Sequence, residues 1–439
     1  IDEVHLKSGR AQPDHFVHFS FSIFNFQFMP PNTPLSPKTA AFLELEDQYG
    51  AHNYHPLPVV LHRGKAVHVW DVDEKQYYDF LSGYSAVNQG HCHPRIVQAL
   101  IEQAQQLTLT SRAFHSDQLA RFAEYISKLF GYDKVLPMNT GVEAVETGIK
   151  LCRRWAYQVK GIEENKAIII VCEGNFHGRT STVISFSSDP GSKKQFGPYM
   201  PGFISIPYND IPALSKALEN PNVAGFLVEP IQGEAGVLVP EEGYLAKAKT
   251  LCEKANVLFI ADEIQTGLAR TGKMLACDHE LVRPDIVLLG KALSGGMLPV
   301  SAVLADDEIM LTIQPGEHGS TYGGNPLACR VAIESLQVLQ EEGMMENAGI
   351  MGELLRKELR ALASPFISMV RGKGLLNAIV INHPDQEAAW NLCLQLKENG
   401  LLAKPTHGDK IRFAPPLVIT EDQVKESVKI ISRSLSVLA

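Results

Sequence analysis

The chain has 439 residues, 45% hydrophobic and 20% charged, with a formal net charge of −9. That length supports two or three domains with large cores. The acidic balance argues against a nucleic-acid-binding surface, which needs clustered basic residues, and no apolar run reaches the about 20 residues of a membrane span.

In chain order, the first methionine is Met29, and Phe19, Phe21, Phe24, Phe26 and Phe28 alternate with polar residues over much of their run. That alternation resembles a strand. Asp2, Glu3 and Asp14 depart from the Arg-rich, acid-poor pattern of a mitochondrial presequence. The expectation is a cytoplasmic protein, with the mitochondrial matrix as the alternative. Residues 30–37 are Pro-rich and read as a linker, so residues 1–37 form an N-terminal extension. Helical spacing begins near Lys38 and ends near Gly50, and residues 59–80 are strand-rich. Seven cysteines (Cys92, Cys152, Cys172, Cys252, Cys277, Cys329 and Cys393) are scattered with no C-x-x-C pair. They read as free thiols rather than a disulfide framework or a zinc site.

The middle of the chain repeats an apolar run, a polar cluster and a helical stretch. The runs lie at 167–172, 223–228, 257–261 and 285–289. Continuous apolar strands separated by helices indicate a mostly parallel sheet covered on both faces, an α/β domain. The polar clusters following them carry Phe176, Arg179, Glu234, Asp262, Gln265 and Lys291. Ligands of open α/β sheets bind beyond the carboxyl ends of the strands, so these residues should converge on one crevice. After Asn325 the texture changes. Helices are expected at 326–342, 346–362, 386–399 and near 421–438, with a strand at 375–381. This is a smaller α+β domain, and the strands near 59–80 belong with it. The boundaries expected are 1–37, 38–82, 83–325 and 326–439.

Three features suggest chemistry, each with a plainer reading beside it. Lys291 follows a buried strand, where a low dielectric frees an amine as nucleophile; a lone lysine after a strand is more often solvated. Asp262 ends a buried strand and needs a cationic partner or several donors; a helix cap or an internal ion pair would serve equally. Thr140-Gly141-Val142 open a helix, where free N–H groups bind anions; Thr140 acting only as a cap is the plainer account. Three motifs are set aside. Gly267-x4-Gly272-Lys273 resembles a phosphate loop, but Met274 stands where a hydroxyl should hold magnesium. Gly372-x-Gly374 leads into a strand. His91-Cys92-His93 lacks a second ligand cluster, so no metal is expected.

Lysine, aspartate and helix-start anion site together match a pyridoxal 5'-phosphate (PLP) enzyme. The sequence also resembles a family here. Ser82-Gly83-Tyr84-Ser85-Ala86-Val87-Asn88-Gln89-Gly90-His91, Asn139-Thr140-Gly141-Val142-Glu143-Ala144, Glu229-Pro230-Ile231-Gln232-Gly233-Glu234, Asp262-Glu263-Ile264-Gln265-Thr266-Gly267 and Gly319-Ser320-Thr321-Tyr322-Gly323-Gly324-Asn325-Pro326 are similar to the class III, fold type I aminotransferases. Tyr49-Gly50-Ala51-His52-Asn53-Tyr54-His55-Pro56 and Lys404-Pro405-Thr406-His407-Gly408-Asp409 resemble the branch acting on ornithine. The resemblance runs from about Ala41 to the end. It implies a large PLP-binding domain at 83–325. It also implies that Lys291 binds the cofactor and shuttles a proton, that Asp262 keeps its ring nitrogen protonated, and that Phe176 stacks on the ring. Gln265 would meet the ring hydroxyl, and Thr140, Gly141 and Val142 would receive the phosphate. Ser320 and Thr321 would reach the phosphate of a neighbouring subunit, making a homodimer with shared sites.

The implied substrates are L-ornithine and 2-oxoglutarate, the products L-glutamate 5-semialdehyde and L-glutamate. Ornithine presenting its δ-amino group leaves its α-carboxylate far from the ring, where the Arg179 fork would clamp it. Tyr54 and Tyr84 would recognise its α-amino and carboxylate end. The oxoacid has two carboxylates, so Arg412 would supply the second cation. Glu234, counted with the catalytic residues, would pair with Arg412 until the oxoacid displaces it. Alternatives within the class act on acetylornithine, GABA or another ω-amine. A racemase or aminomutase on this fold, and a catalytically dead binding protein, fit the two arginines and the retained Lys291 and Asp262 less well.

Overall fold

The computed structural model describes residues 35–439. The alternating phenylalanines and most of the 1–37 extension lie outside the described residues. The first described helix, Pro37–Tyr49, is capped by Ser36, whose side chain accepts the Thr39 N–H. A meander follows: β1 (Leu61–Lys65), β2 (His68–Asp71) and β3 (Gln76–Asp79). They are antiparallel to one another.

A seven-stranded sheet occupies the middle of the chain. Its strands are β4 (Lys134–Met138), β5 (Ile168–Cys172), β6 (Phe203–Ile206), β7 (Val223–Val228), β8 (Leu258–Asp262), β9 (Ile286–Leu289) and β10 (Ser301–Ala305). Their order is β4-β10-β9-β8-β7-β5-β6. All neighbours are parallel except β10, which runs antiparallel to both β4 and β9. The four apolar runs became β5, β7, β8 and β9, and every residue of β7, β8 and β9 is buried. The reason is two-sided cover. On β5, Ile169 and Val171 join one apolar cluster with Leu151 and Trp155, while Ile170 and Cys172 join another with Tyr244 and Leu245. A strand buried on both faces has no polar alternation to show.

The C-terminal part follows the expected texture. Helices Pro326–Glu341, Met344–Ala361, Ala388–Glu398 and Glu421–Ser434 accompany β11 (Ile367–Lys373), β12 (Leu376–Ile381), β13 (Leu401–Leu402), β14 (Lys404–Thr406) and β15 (Lys410–Phe413). β11-β12-β15-β14 form an antiparallel sheet. β13 instead pairs parallel with β3, Leu401 opposite Tyr78, so the early meander is hydrogen-bonded to the C-terminal region. Among the described residues no helix is long and apolar enough to cross a membrane.

Candidate active site

The carboxyl ends of β5, β7, β8 and β9 meet the start of the helix Gly141–Trp155, which follows β4. A cavity of about 200 Å³ lies there, its walls including Gly141, Phe176, Glu234, Asp262, Gln265 and Lys291. The structure thus brings together residues from five separate stretches of chain.

Lys291 begins a short 3-10 turn, Lys291–Ser294, with φ at +43°. That left-handed conformation is strained for a lysine and persists only when the surroundings fix it. Gln89 does part of this: its amide donates to the carbonyls of Ala292 at 3.0 Å and Ser335 at 3.2 Å. Burial lowers the Lys291 pKa, and the carboxylates of Glu234 and Asp262 offset this only in part. More of the amine is therefore neutral and nucleophilic than in water.

Asp262, the buried last residue of β8, places Oδ2 2.6 Å from His177 Nδ1, and Oδ1 accepts the Ile264 N–H at 3.1 Å. Burial penalises the charged imidazole, but the hydrogen bond and charge of Asp262 outweigh it and raise the His177 pKa. The far nitrogen, Nε2, has no hydrogen-bond partner among the described residues. Behind this pair, the Glu229 carboxylate accepts the N–H of Phe176 at 2.8 Å and of Gly233 at 3.3 Å. Burial pushes its pKa up to about 7 despite the opposing pull of His177. Gly178 has φ at +120°, and a Cβ there would lie 2.4 Å from Val142 Cγ2. Only glycine lets this loop approach the helix start so closely.

At that helix start both readings of Thr140 have a place. Its hydroxyl accepts the Glu143 N–H at 3.4 Å while the Glu143 carboxylate accepts the Thr140 N–H at 2.6 Å, a capping box. The N–H groups of Gly141 and Val142 lie in the first turn, which has no intrahelical acceptors, and both residues line the cavity.

Arg412, on β15 and 1% exposed, sits 2.6 Å from Glu234 Oε1. Gln265 closes the triangle. Its amide donates to Glu234 Oε1 at 3.0 Å and accepts from Arg412 at 3.2 Å. Gln265, expected at the ring hydroxyl, therefore has both ends of its amide engaged with Glu234 and Arg412. Burial alone would raise the Glu234 pKa, but Arg412, Gln265 and Lys291 outweigh it and lower it. The Arg412 guanidinium lies 5.2 Å from the Tyr84 ring centre. Tyr84 sits in a left-handed turn, Ser82–Ser85, with φ values from +51° to +70°. Its phenol pKa is raised, first by burial and then by Glu234, and it also feels Arg412, Tyr54 and Arg179. Tyr84, Arg412 and Glu234 are therefore neighbours. Arg179 is exposed, its guanidinium 5.8 Å from the Phe176 ring centre. Tyr54 is exposed too, beside His55, which stacks on Trp390 at 4.4 Å. Ser320 Oγ accepts from its own chain's Asn139 amide at 2.8 Å, and Thr321 is exposed.

The sequence reading assigned no role to His177 or Glu229, although both lie inside the clusters it singled out. The motifs set aside have structural tasks. His91 Nε2 is 2.7 Å from Asp79, and residues 267–273 carry the buried Arg270, which donates to Asn88. Among the described residues no three side chains could jointly hold a metal ion.

The donor set fits PLP: an amine for its aldehyde, a buried carboxylate braced by an imidazole for its ring nitrogen, and a helix start for its phosphate. Residues 49–435 match the family described as aminotransferase class-III. The chain belongs to the class III aminotransferases, PLP-dependent enzymes of fold type I. Among its relatives, the mitochondrial ornithine aminotransferase of Rattus norvegicus is 64% identical over 399 residues, 91% of each chain. That of Drosophila melanogaster is 64% identical over 390 residues, 89% of this chain and 90% of the other. The crystal structure of the ornithine aminotransferase from Toxoplasma gondii ME49 is similar with a TM-score of 0.89 and 48% identity, covering 91% of this chain and 95% of that one. An acetylornithine aminotransferase from Elizabethkingia anophelis has a TM-score of 0.84 and 60% identity, covering 91% and 99%.

Proposed function

We propose that the chain transfers the δ-amino group of L-ornithine to 2-oxoglutarate through PLP, giving L-glutamate 5-semialdehyde and L-glutamate. The observation that carries this reading is the closed pair of Glu234 and Arg412 at 2.6 Å. An amino acid that presents its distal amine has no carboxylate near the ring, so a free cation there would favour α-amino acids in the wrong orientation. Pairing with Glu234 neutralises Arg412 for ornithine. Release of the pair gives 2-oxoglutarate two arginines for two carboxylates.

When bound, PLP supplies an aldehyde that captures an amine and a ring that withdraws electrons from the neighbouring carbon. Lys291 would hold the cofactor through its amine and, as a free amine, would move the proton taken from the δ-carbon of ornithine. Burial lowers its pKa from the ordinary lysine value, which leaves more of the amine free to act as a base than in water. Asp262, braced by His177, would hold a proton on the ring nitrogen. Phe176 would lie against the ring, Gln265 bounds the site beside the gate, and Gly141, Val142 and Thr140 would receive phosphate. Arg179, Tyr54 and Tyr84 take the α-carboxylate and α-amino end. Ser320 and Thr321 complete the phosphate site of the neighbouring copy in a homodimer. The exposed apolar side chains of Phe42, Leu45, Tyr49 and Phe114 support such an association.

The division we adopt is a large domain at 83–325 and a smaller one at 326–439, with the N-terminal segment 38–82 packing with the smaller domain. For the compartment we keep the cytoplasm, with the mitochondrial matrix as the alternative, the two relatives above being called mitochondrial; fractionation of cells expressing the chain decides it. The acetylornithine aminotransferase at 60% identity supports a second reading, with an N-acetylated substrate. An absorbance spectrum separates the two. L-ornithine without oxoacid should remove the visible cofactor band, and 2-oxoglutarate should restore it. A band that ignores ornithine and responds to acetylornithine or GABA moves the substrate to the second reading.

A further inference from the structure

The segment Lys404-Pro405-Thr406-His407-Gly408-Asp409 has had no part in the site so far. Its first three residues form β14, the edge strand beside β15, with Lys404 opposite Arg412 and Thr406 opposite Lys410. The Thr406 hydroxyl donates to the main-chain carbonyl of Glu234 at 2.5 Å. Glu234 is therefore tied twice to the small sheet, by its carboxylate to Arg412 and by its main chain to Thr406. On its other side, the Gly233 N–H is held by the Glu229 carboxylate at 3.3 Å, and the Gly233 carbonyl accepts from Gly236 and Val237 at 3.2 Å each. The main chain is pinned on both sides of the gate, while the side chain reaches into the cavity.

We infer that Thr406 is a positioning residue for substrate selection: it fixes the main chain of Glu234, so that only the carboxylate must turn to free Arg412. The inference rests on the gate reading proposed above. An ion pair between fixed partners forms without ordering any backbone, whereas a loose segment must be ordered each time the pair closes. Arg412 itself is fixed by its place on β15, and Thr406 belongs to the same hydrogen-bonded ladder. When Arg412 turns to an incoming carboxylate, the hydroxyl keeps Glu234 in register for return. Without it the closed pair is less populated, Arg412 is free more often, and discrimination against α-amino acids weakens.

The experiment compares Thr406→Val, which keeps the shape and removes the donor, with Thr406→Ser, which keeps the donor, and with Glu234→Ala. On the PLP-loaded enzyme, kcat/KM is measured for the half-reactions with L-ornithine and L-glutamate, alongside Tm. Thr406→Val should raise the glutamate-to-ornithine ratio about fivefold, the worth of one hydrogen bond. Thr406→Ser should stay within about twofold of wild type, and Glu234→Ala should exceed Thr406→Val. If Glu234→Ala raises the ratio but Thr406→Val lowers both substrates equally, this inference is overturned and the gate stands. A Thr406→Ser shift as large as that of Thr406→Val also overturns it, because the hydroxyl would not be the agent. An unchanged ratio in Glu234→Ala overturns the gate reading and this inference with it.

Discussion

The inner wall of the cavity and the exposed residues proposed to serve it from outside are finished to different degrees within one chain. On the inner wall each carboxylate already has a partner: Asp262 has His177, Glu229 has two backbone N–H groups, and Glu234 has Arg412 and Gln265. Strand ends of the large sheet and β15 supply that wall, and its side chains are buried or half-buried. On the outer side Thr140, Thr321, Arg179 and Tyr54 are exposed. A charge in a low-dielectric wall must be partnered inside the fold, whereas an exposed group can wait for cofactor, substrate or a second copy. On the proposed reading the inner wall fixes the chemistry, and the outer side decides what is bound and how firmly.

Substitutions on the inner wall should have the largest effects. Lys291→Ala removes the amine that moves the proton, and turnover of ornithine with 2-oxoglutarate should fall more than about a thousandfold. A variant keeping a tenth of wild-type turnover would break the assignment of the inner wall to chemistry. Asp262→Asn keeps shape but cannot hold a charged ring nitrogen, and a loss of about a hundredfold in kcat is expected. His177→Asn acts only through Asp262, so its loss should be nearer tenfold. Equal losses in the two variants would mean that the imidazole does more than brace the carboxylate.

Glu229 sharpens the comparison through pH. Its folded pKa, about 7, stands above the 4.5 of the free group because burial disfavours the anion. Below pH 4.5 the carboxyl is protonated in both folded and unfolded chains and contributes no pH dependence. Between 4.5 and 7 the folded chain holds a proton that the unfolded chain has lost, so stability falls as pH rises. The gap corresponds to roughly 3 kcal/mol at most. Glu229→Gln does not titrate, so its Tm relative to wild type should rise between pH 5 and pH 8. A Tm difference that stays constant over that range would place the ionisation of Glu229 elsewhere.

The same contrast explains what the sequence made legible. β5, β7, β8 and β9 could be read because burial on both faces leaves uninterrupted apolar runs, and their ends named Asp262 and Lys291 directly. The antiparallel insertion of β10 could not, since the direction of Ser301–Ala305 is set by its neighbours β4 and β9 and not by composition. The left-handed turn at Ser82–Ser85 runs against the local preference of three of its four residues, and only Gly83 hints at it. His177 and Glu229 stood in plain view but act through contacts 85 and 53 residues away, on Asp262 and the Phe176 N–H. Thr406 reaches the Glu234 carbonyl across 172 residues. Strand cores follow from local pattern, whereas such braces depend on tertiary closure.

On the outer side the effect expected is on cofactor binding, with turnover at saturation least changed of all, and it tests whether that side is completed by a second copy. In the proposed role Ser320 and Thr321 would contribute neutral hydroxyls, each worth about one hydrogen bond to phosphate. Changing both to alanine should weaken PLP binding about tenfold or somewhat more, measured by cofactor titration, with kcat at saturating PLP little changed. If these hydroxyls serve the neighbour, the defect must be complementable. A dimer of a Lys291→Ala chain and a Ser320→Ala/Thr321→Ala chain contains one site whose lysine and both hydroxyls are intact, contributed by different chains. Mixed dimers at limiting PLP should then exceed the activity of either parent. If each chain instead serves its own site through the Asn139 contact, mixing restores nothing, and the outer side is finished within one chain after all.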